Sequence, residues 1–82
     1  MNQYYIYLIR DLNGNVTKVG MGHDNPSTGY YRIDESFKDA QDRIGTNNAH
    51  FKEKLLENLS KEEALAAEKY YKFTCRNTLL LE

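Results

Sequence analysis

The sequence has little or no tryptophan, proline and cysteine. Its 82 residues include no Trp, one Pro and one Cys, so a disulfide-rich scaffold is excluded. The lone Cys75 cannot form an internal disulfide, and it is typical of a small buried hydrophobe. Cysteine usage of this kind suits a reducing compartment, and we expect a cytoplasmic protein.

Long apolar runs and an excess of one charge are also lacking. No stretch of about 18 apolar residues and no basic-then-apolar leader is seen, so neither a membrane span nor a signal peptide is expected. Eleven Lys and Arg against twelve Asp and Glu give a formal net charge of −1. Strong nonspecific binding to nucleic acid is therefore not expected from the overall charge, because such binding neutralises phosphates. A nucleic-acid function requires local positive charge, with Lys18, Arg32, Arg43 and Lys52 as the candidates.

Tyrosine is the residue that the chain uses heavily. A single domain over residues 1–82 has room for one small core and one site, yet it carries seven Tyr, paired at 4–5, 30–31 and 70–71. These rings either pack the core with their hydroxyls at its rim or provide stacking platforms for bases. Packing is the favoured interpretation, because it is the commoner use of aromatic residues.

The N-terminal part of the chain predicts a β-hairpin. A nearly continuous apolar run predicts a first strand from about Gln3 to Arg10, covered on both faces and central in a small sheet. A second strand follows at about 15–21. Asn13-Gly14 between them predicts a type I′ turn, which needs positive φ at both central positions. Residues 23–29 are rich in turn formers and predict a surface loop.

A first helix is predicted from Tyr31 to Ile44, with Gly45 as its C-cap. Its apolar stripe consists of Ile33, Phe37, Ala40 and Ile44. A polar row on the neighbouring face, predicted to be solvated, consists of Arg32, Ser36, Asp39 and Arg43.

The second half of the chain contains one ambiguous segment and one clear helix. Residues 46–59 fit either a helix or a strand, since periodicity does not decide so short a segment. Ser60 and Glu63 form a capping box that predicts a helix start, with good helix formers through Lys72. No repeats or linkers are visible.

Glu68 is a charged residue on the apolar side of this predicted helix. It falls within the inward stripe formed by Ala64, Ala67 and Tyr71. A carboxylate there requires a partner, such as a metal, an Arg or a hydrogen-bond network. The alternative is a position at the edge of the stripe from which the carboxylate reaches water.

The order of these features resembles the GIY-YIG nuclease superfamily along almost the whole chain. Tyr5-Ile6-Tyr7 is similar to the first motif and Lys18-Val19-Gly20 to the second. Residues 30–40 are similar to the Arg-bearing helix of one branch, and residues 51–64 to the third strand running into the last helix. Glu68-Lys69-Tyr70-Tyr71 is similar to the metal-binding segment, and beyond it Asn77 stands where the family's Asn falls.

The resemblance implies both a fold and an activity. The fold is α+β, with a three-stranded antiparallel sheet, formed by the hairpin and a third strand near 51–57, flanked by helices. The activity is metal-dependent hydrolysis of phosphodiesters by a minimal endonuclease, with Mg²⁺ or Mn²⁺ held by Glu68. The implied catalytic residues are Tyr7, Lys18, Arg32 and Glu68, and substrate contacts are expected from Gly20, Ser36, Arg43 and Asn77.

Each residue type suits its implied part in phosphodiester hydrolysis. Arg32 would grip phosphate oxygens and stabilise transition-state charge. Tyr7 would serve as the base or position the attacking water. Lys18 would act as a cation near the phosphate or lower the pKa of Tyr7, and Gly20 would let backbone and substrate approach closely.

Departures from the family pattern define an alternative function. Tyr5 stands where Gly is usual, Lys18 where Tyr is usual, and Ser36 where one branch commonly has His. The alternative is a catalytically impaired GIY-YIG-fold protein that binds nucleic acid, a nucleotide-like ligand or a protein, such as an accessory or inhibitor factor of a phage or mobile element. The expected partner is nucleic acid, DNA ahead of RNA, with a homodimer or a protein partner as a further source of specificity, and no membrane. A third interpretation is an unrelated small α+β interaction domain.

Overall fold

A computed structural model describes residues 3–75 of the chain. Strands β1 (Tyr4–Arg10), β2 (Val16–His23) and β3 (Phe51–Leu59) form one antiparallel sheet in the order β2-β1-β3. Helix α1 (Arg32–Ile44) connects β2 to β3, and helix α2 (Lys61–Thr74) follows β3. The predicted α+β fold is confirmed, and the segment that periodicity left open, residues 46–59, contains a strand at Phe51–Leu59.

The central position of β1 explains its nearly continuous apolar sequence. Side chains of a strand alternate between the two faces of a sheet, and both faces of β1 are covered. One core cluster joins β1 to α1 and contains Tyr5, Tyr7, Ile9, Ile33, Ala40 and Ala49. The other joins the sheet to α2 and contains Ile6, Leu8, Val16, Val19 and Ala64. The two helices therefore cover opposite faces of the sheet.

The β1–β2 connection differs from the predicted type I′ turn. Gly14 has positive φ (88°), but Asn13 does not. The turn is closed by hydrogen bonds from Gly14 N to Asp11 O (3.0 Å) and from Asp11 N to Asn15 O (2.8 Å). The carboxylate of Asp11 also accepts from the backbone N of Asn13 and Asn15. The type I′ prediction was wrong because the Asp11 side chain favours a longer turn that needs positive φ at Gly14 alone.

The predicted surface loop after β2 carries the chain to the start of α1. It contains one 3₁₀ turn, Pro26–Thr28, and closes through paired backbone hydrogen bonds between Asn25 and Tyr30 of 2.9 and 3.0 Å. This closure places Tyr30 and Tyr31 directly before the first turn of α1.

Side chains from elsewhere in the chain hold the first turn of α1. The N-cap residue, Tyr31, makes no side-chain capping bond. Instead, Asp24 Oδ1 accepts from Arg32 N (2.8 Å) and the Tyr5 hydroxyl accepts from Ile33 N (2.9 Å). The same hydroxyl donates to Asp24 Oδ1, and burial together with this bond to Asp24 raises the pKa of Tyr5. These bonds satisfy donors that a helix start leaves unpaired, and they fix the position of Arg32.

The predicted capping box of α2 is confirmed. Ser60 Oγ accepts from Glu63 N (3.1 Å), and Glu63 Oε1 accepts from Ser60 N (2.9 Å). The predicted stripe of Ala64, Ala67 and Tyr71 packs on the α2 side of the sheet. Within residues 3–75, no helix has both the length and the apolar character needed to cross a bilayer.

Candidate functional site

Three of the sequence-predicted site residues meet at one buried hydroxyl. Ser36 Oγ accepts a hydrogen bond from the Tyr7 hydroxyl and another from Lys18 Nζ, both at 2.8 Å. Tyr7 and Ser36 are each 1% exposed, and Lys18 is half-buried. Two accepted bonds fill both lone pairs of a serine hydroxyl. The prediction of a solvated polar row was therefore wrong at Ser36, because α1 packs this residue against β1 and β2.

Gly20 makes this arrangement possible. It pairs with Tyr7 across the β1–β2 ladder, and a Cβ built on Gly20 would lie 2.2 Å from Tyr7 Cζ. The Tyr7 ring thus crosses the Gly20 backbone, and its hydroxyl extends to Ser36. The sequence predicted that Gly20 gives a substrate close access to the backbone, and in the structure the Tyr7 ring lies there.

The largest electrostatic effects on Lys18 come from other cations. Burial lowers the pKa of Lys18, and the charges of Arg32, Arg43 and Lys72 lower it further, while Asp39 acts in the opposite direction. Among residues 3–75, no carboxylate forms an ion pair with Lys18. A half-buried ammonium whose pKa other cations lower favours the approach of an anion.

Lys18 and the cations that act on it, Arg32, Arg43 and Lys72, are called the cationic cluster below. Arg32 is its member beside the loop that follows β2. Its Nη1 donates to Glu35 Oε1 at 2.6 Å, and both side chains are partly exposed. Partial burial disfavours the charged guanidinium, but the contact with Tyr30 and the neighbouring Tyr7 and Glu35 more than offset this, so the pKa of Arg32 is raised. Arg32 is therefore a permanent cation, held at its backbone by Asp24.

Glu68 is separated from the Tyr7–Ser36 contact by the sheet, because α2 and α1 cover opposite faces. Its side chain is 23% exposed and forms an ion pair with Lys72 (3.7 Å). Lys72 is also one of the cations whose charge acts on Lys18. In the structure Glu68 combines features of both alternatives, since its carboxylate is partly exposed and pairs with Lys72 one turn further along the helix.

Glu68 is a single carboxylate whose ion-pair partner is a cation, Lys72. In the part of the chain that the structure describes, no group of three or more His, Cys, Asp or Glu could hold a metal. Mg²⁺, however, commonly binds through one or two carboxylates, with water and substrate phosphate as its remaining ligands. A metal at Glu68 would need this mode of binding and would replace Lys72 at the carboxylate.

The remaining sequence candidates are dispersed. Arg43 acts electrostatically on Lys18, whereas Lys52 is on β3 and forms an ion pair with Asp34. Asn77 lies outside the described residues. Sequence reasoning missed Asp24, whose contacts with Tyr5 and Arg32 no local pattern indicates.

Comparison of the chain with protein-family models, with curated proteins and with solved structures finds no significant match. The resemblance to the GIY-YIG superfamily stays a prediction that rests on the residues quoted above.

Proposed function

We propose that this chain is a GIY-YIG-type nuclease domain that binds a phosphodiester of nucleic acid and hydrolyses it with a divalent metal. The observation that carries the proposal is the half-buried ammonium of Lys18, held by the buried Tyr7–Ser36 pair and surrounded by the charges of Arg32, Arg43 and Lys72. On a chain with net charge −1, such a concentration of cations favours phosphate at this place. A cytoplasmic location belongs to the same proposal.

Lys18 and Arg32 divide the binding of phosphate between them. Lys18 is a point charge whose direction is fixed by its bond to Ser36. Arg32 offers a planar fork that can bind two phosphate oxygens, and its bond to Glu35 is at a partly exposed surface. A phosphate dianion or diester competes well with a solvated carboxylate for such a guanidinium.

Tyr7 acts in this proposal as a positioning residue. At 1% exposure, its ring is covered, and its hydroxyl donates to Ser36 and not towards solvent. It therefore fixes the Ser36 oxygen to which Lys18 binds, which keeps the ammonium aimed in one direction.

Glu68 would hold the metal, and Lys72 would be released from the carboxylate towards the substrate. When bound, Mg²⁺ or Mn²⁺ neutralises charge on the scissile phosphate and on its leaving oxygen. Glu68 would contribute the anionic ligand, from a side chain that is 23% exposed.

A second candidate function is binding without hydrolysis. Two observations favour it: Glu68 is already neutralised by Lys72, and Tyr7 is too buried to act as a base on a water molecule. In that case the Lys18 site binds nucleic acid as an accessory factor does, and no metal takes part.

A cleavage assay with and without metal separates the two functions. Wild type is incubated with supercoiled plasmid, single-stranded DNA and RNA, with Mg²⁺ or Mn²⁺ in one series and with EDTA in the other. We expect cutting in the metal series and none in EDTA, with DNA cut faster than RNA. Binding of these substrates without cutting in any series supports the second function, and failure to bind any of them contradicts both.

Lys18→Met is expected to change affinity and stability in opposite directions. Binding of single-stranded DNA should weaken about tenfold, with the slope of log K against log salt reduced by about 1, because one phosphate contact is lost. At pH 7 the free energy of unfolding should rise, on the order of 0.5 kcal/mol after solvent screening, because a desolvated charge is removed.

The pH dependence of that gain follows from the lowered pKa of Lys18. The folded state binds fewer protons than the unfolded state between the two pKa values, so wild-type stability rises with pH in that window. The advantage of Lys18→Met should therefore shrink as pH approaches 10.5, the ordinary value. Urea unfolding at pH 7 and pH 10 measures this, with Lys61→Met as the exposed-lysine control. A variant less stable than wild type at pH 7 contradicts the assignment.

A further inference from the structure

A shallow pocket of about 350 Å³ opens beside Arg32, at the junction of the loop after β2 with α1. Its lining consists of Gly29, Tyr30, Tyr31, Asp34, Glu35 and Lys38. We propose that this pocket binds one unpaired nucleobase of the strand whose phosphate lies at Lys18. The inference rests on the proposed function and adds a substrate class to it, single-stranded nucleic acid.

The aromatic residues of the pocket provide the surface on which a base can stack. Tyr31 is 44% exposed, and as an N-cap residue it makes no side-chain capping bond. Tyr30 is half-buried, and its hydroxyl donates to Glu35 Oε1 at 3.4 Å. One ring is thus fixed and the other is open to solvent. Stacking on such rings accepts any base, because every base has a π-face.

The pocket and the cationic cluster share a wall. Glu35 lines the pocket and accepts from Arg32 Nη1 at 2.6 Å, while the charge of Arg32 acts on Lys18. A base and the phosphate of its own nucleotide are joined through one sugar. Adjacent sites for the two groups are therefore what a nucleotide unit requires.

The charges of the pocket favour a neutral base over a second phosphate. Asp34 and Glu35 both line it, and although each is paired with a cation, they leave no excess of positive charge there. A carboxylate in the pocket repels the phosphate backbone of the nucleic acid, and it can accept a hydrogen bond from an exocyclic amino group of a base. The two parts of the surface therefore differ in charge, so that phosphate is expected at Lys18 and the base at Tyr31.

An unpaired base is required because a paired one has no free face. In a duplex, each base is stacked above and below and its hydrogen-bonding edge is occupied, whereas single strands, loops and ends offer bases that can be splayed onto aromatic side chains. A pocket at the surface with one open tyrosine can accept such a base without the energetic cost of unstacking a duplex.

The test compares two exposed tyrosines in the 82-residue chain. Wild type, Tyr31→Leu and Tyr70→Leu are titrated into a labelled 12-nucleotide single-stranded DNA in EDTA, so that no cutting occurs, at several salt concentrations. Tyr70 is 62% exposed on α2 and away from the pocket, so it is the matched control. We expect Tyr31→Leu to weaken binding about tenfold with an unchanged salt slope, and Tyr70→Leu to bind within about twofold of wild type.

A second experiment detects the stacking of the base directly. An oligonucleotide carrying one 2-aminopurine should lose fluorescence on binding wild type, by stacking, and keep it on binding Tyr31→Leu. Equal affinity of Tyr31→Leu and wild type, or equal affinity for an oligonucleotide of abasic sites, overturns the inference while the salt-dependent binding of the proposed function stands. If Tyr31→Leu weakens the binding of duplex DNA as much as it weakens the binding of single-stranded DNA, the proposed preference for single strands is wrong. Absence of any salt-dependent binding overturns both proposals.

Discussion

Gly20→Ala is expected to lower the free energy of unfolding by about 3 kcal/mol, at the upper end of what overpacking costs. The added Cβ would lie 2.2 Å from Tyr7 Cζ and 2.3 Å from its hydroxyl oxygen. The ring has no free direction in which to move, because it is buried between β1 and α1 and its hydroxyl is bound to Ser36. Either the strand pairing or the Tyr7–Ser36 bond must give way.

A double-mutant cycle with Tyr7→Ala measures this clash by urea unfolding. In the Tyr7→Ala background, the new methyl group meets an empty volume, and Gly20→Ala should then cost less than about 1 kcal/mol, since Ala is otherwise no worse than Gly in a strand. Additive effects of the two substitutions would contradict the contact. The single variant should also lose affinity for DNA, because Lys18 depends on Ser36 for its direction.

Local signals predicted most of the fold because they act over a few residues. The apolar run of β1 specifies a strand covered on both faces wherever it occurs in a sheet. The Ser60–Glu63 box satisfies its own donors within one helical turn, and it forms as the sequence indicates. The stripes of α1 and α2 likewise match the faces that pack on the sheet.

Non-local contacts explain what the sequence did not predict. Ser36 belongs by periodicity to a polar row, yet Tyr7 and Lys18, which are far from it in the sequence, bury it and use both its lone pairs. Nothing near Asp24 in the chain indicates that it would hold the first turn of α1. The prediction of the turn type was wrong for a local reason. The Asp11 carboxylate accepts a hydrogen bond from Asn13 N, and this bond outweighs the preference of Asn13 for positive φ.

In the candidate site, too, the local features were predicted and the non-local positions were not. Its residue types were predicted from the order of the motifs, and the structure brings Tyr7, Lys18 and Ser36 into direct contact. The position of Glu68 on the α2 side, where it pairs with Lys72, could not be predicted, because it depends on which face of the sheet α2 covers. The proposed nuclease activity therefore requires that the substrate reach from Lys18 on the α1 side of the sheet to Glu68 on the α2 side.

Glu68→Ala is expected to reduce metal-dependent cutting on the order of 10³-fold, because it removes the single carboxylate proposed to hold the metal. The fold should be kept. Ala is the best helix former, and the ion pair lost with Lys72 is partly exposed, so stability should stay within about 0.5 kcal/mol of wild type or rise. Affinity for DNA in EDTA should increase, since Lys72 is released from its carboxylate partner.

Glu62→Ala provides the matched control for that experiment, because Glu62 is an exposed carboxylate on the same helix. It should cut as wild type does. Unfolding with and without Mn²⁺ gives a readout that does not depend on activity: at ten times the dissociation constant, the metal should stabilise wild type and Glu62→Ala by about 1.4 kcal/mol and leave Glu68→Ala unchanged. Normal cutting by Glu68→Ala would remove Glu68 from the mechanism. Tighter DNA binding by Glu68→Ala, with no cutting by any of the three proteins, would instead identify Glu68 as the residue that restrains Lys72 in a binding protein.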